Sequence, residues 1–146
     1  MLIPASRGDA ESIEALAAAS KLYVPQTVVG EFLVGVLGSD TARARAGERW
    51  FDELLTLSTV LSAGLATSRG YARLHRHTRR TGRPIPQNDL WIAATAAEHG
   101  LPLLTRDAHF EGLPGVDARL VGPTQTRGPQ AARPAAPPAS PDHPGA

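Results

Sequence analysis

Four short apolar runs, KLYVP (21–25), STVLS (58–62), LPLLT (101–105) and ARLV (118–121), are separated by stretches whose apolar residues recur every three or four positions. A run of four or five residues suits a strand, whereas spacing of three and four gathers side chains on one face of a helix. Strands therefore alternate with helices. Parallel strands need long crossovers, which helices supply, so the order predicts an α/β domain with a mostly parallel sheet.

Local signals place the helices. Asp9 opens one through DAESIEALAAAS, and a second runs from Gln26 to Leu37, where Val28, Val29, Phe32, Leu33 and Val36 repeat at helical spacing before Gly38. Ser39 or Asp40 is expected to cap a third, whose buried face is Trp50, Phe51, Leu54 and Leu55. Thr67 is expected to cap a fourth that ends at Arg80, and TGRPIPQ breaks the chain after it. A fifth starts at Asn88 or Asp89 and reaches His99, with Gly100 as its stop.

The chain has 146 residues, enough for one domain with a real core. From Gly122 to Ala146, seven of 25 residues are Pro and six are Ala, with no apolar period. Such a segment cannot repay the entropy of ordering, so the expected division is a folded domain over 1–121 and a disordered tail over 122–146. The folded part carries 13 basic and 13 acidic side chains, so any contact with nucleic acid depends on where the charges sit. There is no Cys, which excludes disulfides and thiolate metal sites and favours a reducing, cytoplasmic setting. No stretch of eighteen apolar residues suggests a membrane span.

Three acids stand out against this map. Glu31 is the only charge between Lys21 and Asp40, Asp89 is the only one between Arg83 and Glu98, and Asp107 follows the strand LPLLT by two residues. Each has a structural explanation when taken singly: Asp89 as a helix cap or first-turn acid, Glu31 as the partner of an arginine, Asp107 as a loop acid. In a parallel α/β sheet, however, strand ends and the helix starts that follow them share one edge, where ligands bind. Three carboxylates at one edge repel unless a cation neutralises them. An all-oxygen set suits Mg²⁺ or Mn²⁺, ions that activate water and stabilise charge in phosphodiester hydrolysis.

A basic stripe accompanies the acids. From Leu54 to Asn88 there is no acid, and Arg69, Arg73, Arg76 and Arg80 follow i, i+4, i+7 and i+11, one face of a helix. The stripe suits RNA phosphates, or else a solvated or protein-docking face. His75 and His77 do not share a helical face, His99 fits a helix C-terminus, and His109 lies beside Asp107 within reach of the site but has no second His to complete an acid–base pair. A phosphoacceptor signalling domain also gathers acids around Mg²⁺ but needs a Lys at the site, and Lys21, the only one, stands at the front of a strand.

The segments LYVPQTVVGEFLVG, GRPIPQNDLWIAATAAEHGLPLLTRDAHF and LPGVDARLV resemble the PIN-domain superfamily, specifically VapC-like toxins of bacterial toxin–antitoxin pairs. The resemblance spans roughly residues 1–121, and NDLWIAA followed by LLTRD is its most specific part. It implies a three-layer α/β/α endoribonuclease, usually dimeric, that uses Mg²⁺ or Mn²⁺ and is silenced by a cognate antitoxin. By position, Glu31, Asp89 and Asp107 match three of the family's four metal-site acids, and Asn88 and Thr105 match flanking polar positions that orient ligands or water.

The family pattern opens with a central apolar strand that ends in the fourth acid, whereas this sequence starts at MLIPASRGD, and Asp9 reads as a helix cap. The expectation is a truncated first strand and a true start upstream. A chain that begins at Met1 is expected to be poorly soluble and weakly active, because a missing central strand exposes backbone and apolar faces on both neighbours. The alternative function is then a catalytically impaired module that binds antitoxin or RNA without cleaving.

Overall fold

The computed structural model describes residues 2–38 and 41–122. In chain order these form α1 (Leu2–Ser6), α2 (Ala10–Ala17), β1 (Leu22–Pro25), α3 (Gln26–Leu37), α4 (Ala42–Thr56), β2 (Ser58–Leu61), α5 (Leu65–Arg80), α6 (Gln87–His99), β3 (Leu103–Thr105) and β4 (Ala118–Leu120). A single 3-10 turn, Ala108–Phe110, follows β3. The expected tail lies, apart from Gly122, outside the described residues.

All strand pairing is parallel, and the helices flank it in an α/β/α arrangement. The strands nevertheless form two separate pairs: β1 with β2 in the register Leu22↔Ser58, and β3 with β4 in the register Leu103↔Ala118. The single expected sheet is thus present as two halves, because β1 and β3 are each paired on one side only among the described residues. Helices join the halves: α3 packs against α6, and α6 against α5.

The centre is α6, whose Leu90 and residues 92–96 are all buried. A helix buried on nearly every side must be apolar on nearly every side, which is what LWIAATAA provides. Its alanines let α5 come close, so that a Cβ added at Gly70 would stand 3.5 Å from the Ala94 Cβ. Leu74, Leu90, Ala93, Ala94, Phe110 and Leu113 form the core cluster. Burying a Leu contributes about 1.5–3 kcal/mol, so Leu74 and Leu90 alone fasten α5 to α6 firmly. On the other side Phe32 of α3 stacks on Phe51 of α4 with ring centroids 4.0 Å apart, and Trp50 lies alongside.

Several helix starts differ from their sequence expectation. The cap of α4 is Thr41, whose Oγ1 accepts from the Ala44 amide at 3.1 Å; Ser39 and Asp40 lie outside the described residues. Helix α5 begins at Leu65, so Thr67 sits within its first turn and its hydroxyl accepts from the Gly64 amide. Helix α6 begins at Gln87 behind Pro86, which makes Asp89 a first-turn acid and not the cap. Asp9 caps α2 as expected, accepting from the Ser12 amide at 2.9 Å, and Gly100 ends α6 at φ 60°, where a side chain would be strained.

Candidate functional site

Three elements distant in sequence meet at one edge. Helix α3 contributes Glu31, the first turn of α6 contributes Asn88 and Asp89, and the turn after β3 contributes Asp107. The Asn88 Nδ2 donates to Glu31 Oε1 at 2.9 Å, which ties the start of α6 to the middle of α3. Thr105 is buried at the end of β3, and its Oγ1 accepts from the Asp107 amide at 3.1 Å, fixing where the chain turns. Both flanking polar residues therefore support the acids beside them.

What brings Asp89 and Asp107 together is His109, which the sequence places beside Asp107 and within reach of the site but does not single out as a site residue. Its Nδ1 lies 2.7 Å from Asp107 Oδ1, and its Nε2 lies 3.2 Å from Asp89 Oδ2. Asp107 also caps the 3-10 turn, accepting from the His109 amide at 3.1 Å. That cap curls the chain so that a ring two residues onward folds back between the acids. The sequence signal is an acid followed two residues later by a side chain able to answer it, a pattern too common to single out.

Asp89 Oδ2 and His109 Nε2 are both buried, and apart from their contact with each other neither has a hydrogen-bond partner. Among the described residues, no three His, Asp or Glu side chains converge as the ligands of one ion, because the imidazole stands between the two carboxylates. The donors are of the kind a divalent cation takes: two carboxylates on one imidazole, and Glu31 one residue away through Asn88.

The turn that carries Asp107 is braced from outside. Arg106 donates through Nη1 to Asp9 Oδ1 at 2.7 Å and to Ser12 Oγ at 3.3 Å. The hydroxyl and amide of Ser12, then Arg106, hold the Asp9 carboxyl down to about 2, below its ordinary 3.8. Asp9 thus positions the neighbour of Asp107 without belonging to the acid cluster.

Arg69, Arg73, Arg76 and Arg80 are exposed on α5, as the stripe predicts. Arg73, Arg76 and Arg80, with His77, line a groove of about 240 Å³ floored by Gly70 and Leu74; Arg69 lies outside it. None of the four arginines is in an ion pair among the described residues. The groove is therefore electropositive and open to an anion.

Comparisons with known proteins bear on the family and the fold. The family model for the PIN domain matches residues 2–116. Ribonuclease VapC5 of Mycobacterium tuberculosis is 40% identical over 99 residues, 63% of this chain and 70% of that protein. The crystal structure of VapBC-5 from the same organism, a member of the VapBC family of toxin–antitoxin systems, superposes with a TM-score of 0.62 at 31% identity, covering 74% of this chain and 86% of that one. VapBC2 from Rickettsia felis, bound to a promoter DNA fragment, reaches a TM-score of 0.71 over 83% of this chain and 93% of that one; at 20% identity it speaks to the fold alone.

Proposed function

Because the chain belongs to the PIN domain family, we propose that it is a divalent-cation-dependent endoribonuclease and the toxin of a toxin–antitoxin pair. The observation that carries this reading is the meeting of Asp89 and Asp107 on one imidazole, with Glu31 joined to the next residue. The ribonuclease names of the relatives and the toxin–antitoxin complexes among the structural neighbours support the substrate class and an antitoxin partner.

Asp89, Asp107 and Glu31 are the residues that would hold Mg²⁺ or Mn²⁺. When bound, such an ion activates water and stabilises the charge that develops on a phosphodiester. The chain's own residues do the remaining work. Asn88 orients Glu31, Thr105 fixes the turn at Asp107, and Arg106 braces that turn against α2. Arg69, Arg73, Arg76 and Arg80 draw the RNA backbone to α5. Val34 and Leu37, three apart on α3, are 79% and 64% exposed, which suits burial against an antitoxin or a second copy in a homodimer. No helix among the described residues is long and apolar enough to cross a membrane, and a cytoplasmic location is part of the same proposal.

The separation of the strands into two pairs favours a second reading, a module that binds RNA or antitoxin without cutting. Cleavage of a broad RNA panel separates the two. The protein is assayed as it stands and extended to any in-frame upstream start, with Mg²⁺, Mn²⁺ or chelator, beside Asp89→Asn. Cation-dependent cleavage lost in the variant supports the nuclease. Binding of RNA or antitoxin without cleavage by either form supports the second reading.

A further inference from the structure

We propose that the stacked rings of Trp91, Tyr71 and His75 form a platform on which an unpaired base of the RNA lies, so that the substrate is single-stranded where it meets α5. The inference rests on the nuclease reading and adds a base-binding subsite to it. Two of the rings are explained by packing: Tyr71 of α5 and Trp91 of α6 lie with centroids 4.4 Å apart and planes within 17°, and Tyr71 packs against the core cluster. The third is not. His75, one turn beyond Tyr71 on α5, continues the stack at 5.9 Å and 19°, is partly exposed and is no part of the buried cluster. Ring faces in contact stand about 3.5–4 Å apart, so a centroid separation of 5.9 Å means that the two rings are slid past each other. Ring face is therefore left uncovered.

The polar edges of the rings agree. Among the described residues the Tyr71 hydroxyl, the Trp91 Nε1 and the His75 ring nitrogens make no hydrogen bond or ion pair, and none of these atoms is buried. The column is open to solvent along its edge. Charge and position then select the occupant. Arg79 follows His75 by four residues, so it stands on the same face of α5, exposed and in no ion pair among the described residues. No acid lies between Leu54 and Asn88 to oppose a polyanion there. Flat rings beside a free guanidinium hold a base on the one and its phosphate on the other, the combination that binds single strands. A paired base turns its faces to its neighbours in the helix, so duplex RNA cannot use the platform. At the other end, Trp91 stands one turn after Asn88, whose side chain donates to Glu31 at 2.9 Å. The column thus runs from the edge that carries the acids out to the arginine face of α5.

The test is RNA binding by the purified full chain in chelator, which stops cation-dependent cleavage, at about pH 8, above the ordinary imidazole range. Fluorescence anisotropy reads binding of a labelled oligouridylate, of an abasic ribose-phosphate strand of equal length and of an RNA duplex. His75→Ala and His75→Leu are expected to weaken oligouridylate binding about fivefold or more, the low end of what one lost base stack costs, whereas His75→Phe keeps it. Binding of the abasic strand and of the duplex, and the slope of log affinity against log salt, are expected to stay as in the wild type. Equal losses on the native and abasic strands, a loss in His75→Phe as large as in His75→Leu, or no loss at all overturns the platform. Cation-dependent cleavage by the same variants then leaves the nuclease reading intact. Variants that bind RNA normally but lose affinity for the antitoxin assign the rings to a protein interface and overturn the platform too. The expected binding without cleavage in either cation overturns the nuclease reading alone.

Discussion

Replacing Phe51 by Ala is expected to unfasten α3, and Glu31 with it, while sparing α6. Phe51 is fully buried, and its ring lies 4.0 Å from that of Phe32, the residue after Glu31, itself only 2% exposed. Removing a buried Phe costs about 3–5 kcal/mol, because the lost transfer energy adds to that of a cavity the surroundings only partly fill. Against a total of about 5–15 kcal/mol, the variant stays folded only if the domain is well above the lower bound. With a urea dependence of about 2 kcal/mol per molar, the unfolding midpoint falls by about 2 M. Phe51→Leu keeps most of the volume and loses the ring stack, so its cost is about 1–1.5 kcal/mol. Urea titrations followed by tryptophan fluorescence report directly, since Trp50 adjoins the pair. A midpoint shift below about 0.5 M for Phe51→Ala would refute the packing of α3 on α4 through these rings.

Gly70→Ala is expected to raise stability by about 0.5–1 kcal/mol, since the new Cβ meets Ala94 at ordinary contact distance and the helix gains propensity; a clear fall in melting temperature would contradict this. Thr41→Ala removes the α4 cap and is expected to cost about 1 kcal/mol in the same assay. The Asp9 carboxyl is held at about 2, below its ordinary 3.8, so its contribution is fully present above the ordinary value and is lost as pH falls from there through about 2. The melting-temperature difference between wild type and Asp9→Asn should therefore be constant above about pH 4 and shrink towards pH 2, and a difference unchanged to pH 2 would contradict the brace. Arg73→Ala and Arg80→Ala are each expected to weaken single-stranded RNA binding and lower the slope of log affinity against log salt by about 0.7, an outcome that filter binding at several salt concentrations checks.

The features legible in the sequence were those with a period or an isolated charge. Glu31 showed because it is the lone charge on an apolar helix, Asp89 because no other charge stands between Arg83 and Glu98, and Asp107 because it follows a strand end; the structure links Asp89 to Asp107 through His109, and Glu31 to Asn88. The two ends of α3 coincide with the reading from apolar spacing and Gly38. Helix starts were less legible, because Ser, Asp and Thr are interchangeable as caps and only backbone geometry chooses among neighbours. Thr41 served where Ser39 or Asp40 was expected, and Thr67 fell three residues inside its helix. That His109 bridges the two acids was illegible for a related reason: a three-residue 3-10 turn has no period, and the fold-back of the ring follows from the Asp107 cap, not from the residue's own position beside Asp107. Arg106 to Asp9 is likewise a contact across the whole domain that no local pattern announces.

The nuclease assignment is tested most directly by incubating folded protein, as it stands and extended to any in-frame upstream start, with a panel of single-stranded and structured RNAs in Mn²⁺, Mg²⁺ or chelator. Cleavage that requires the cation and disappears in Asp89→Asn is the expected result. Cleavage that persists in chelator or in Asp89→Asn, or no cleavage by either folded form with either ion, would contradict it.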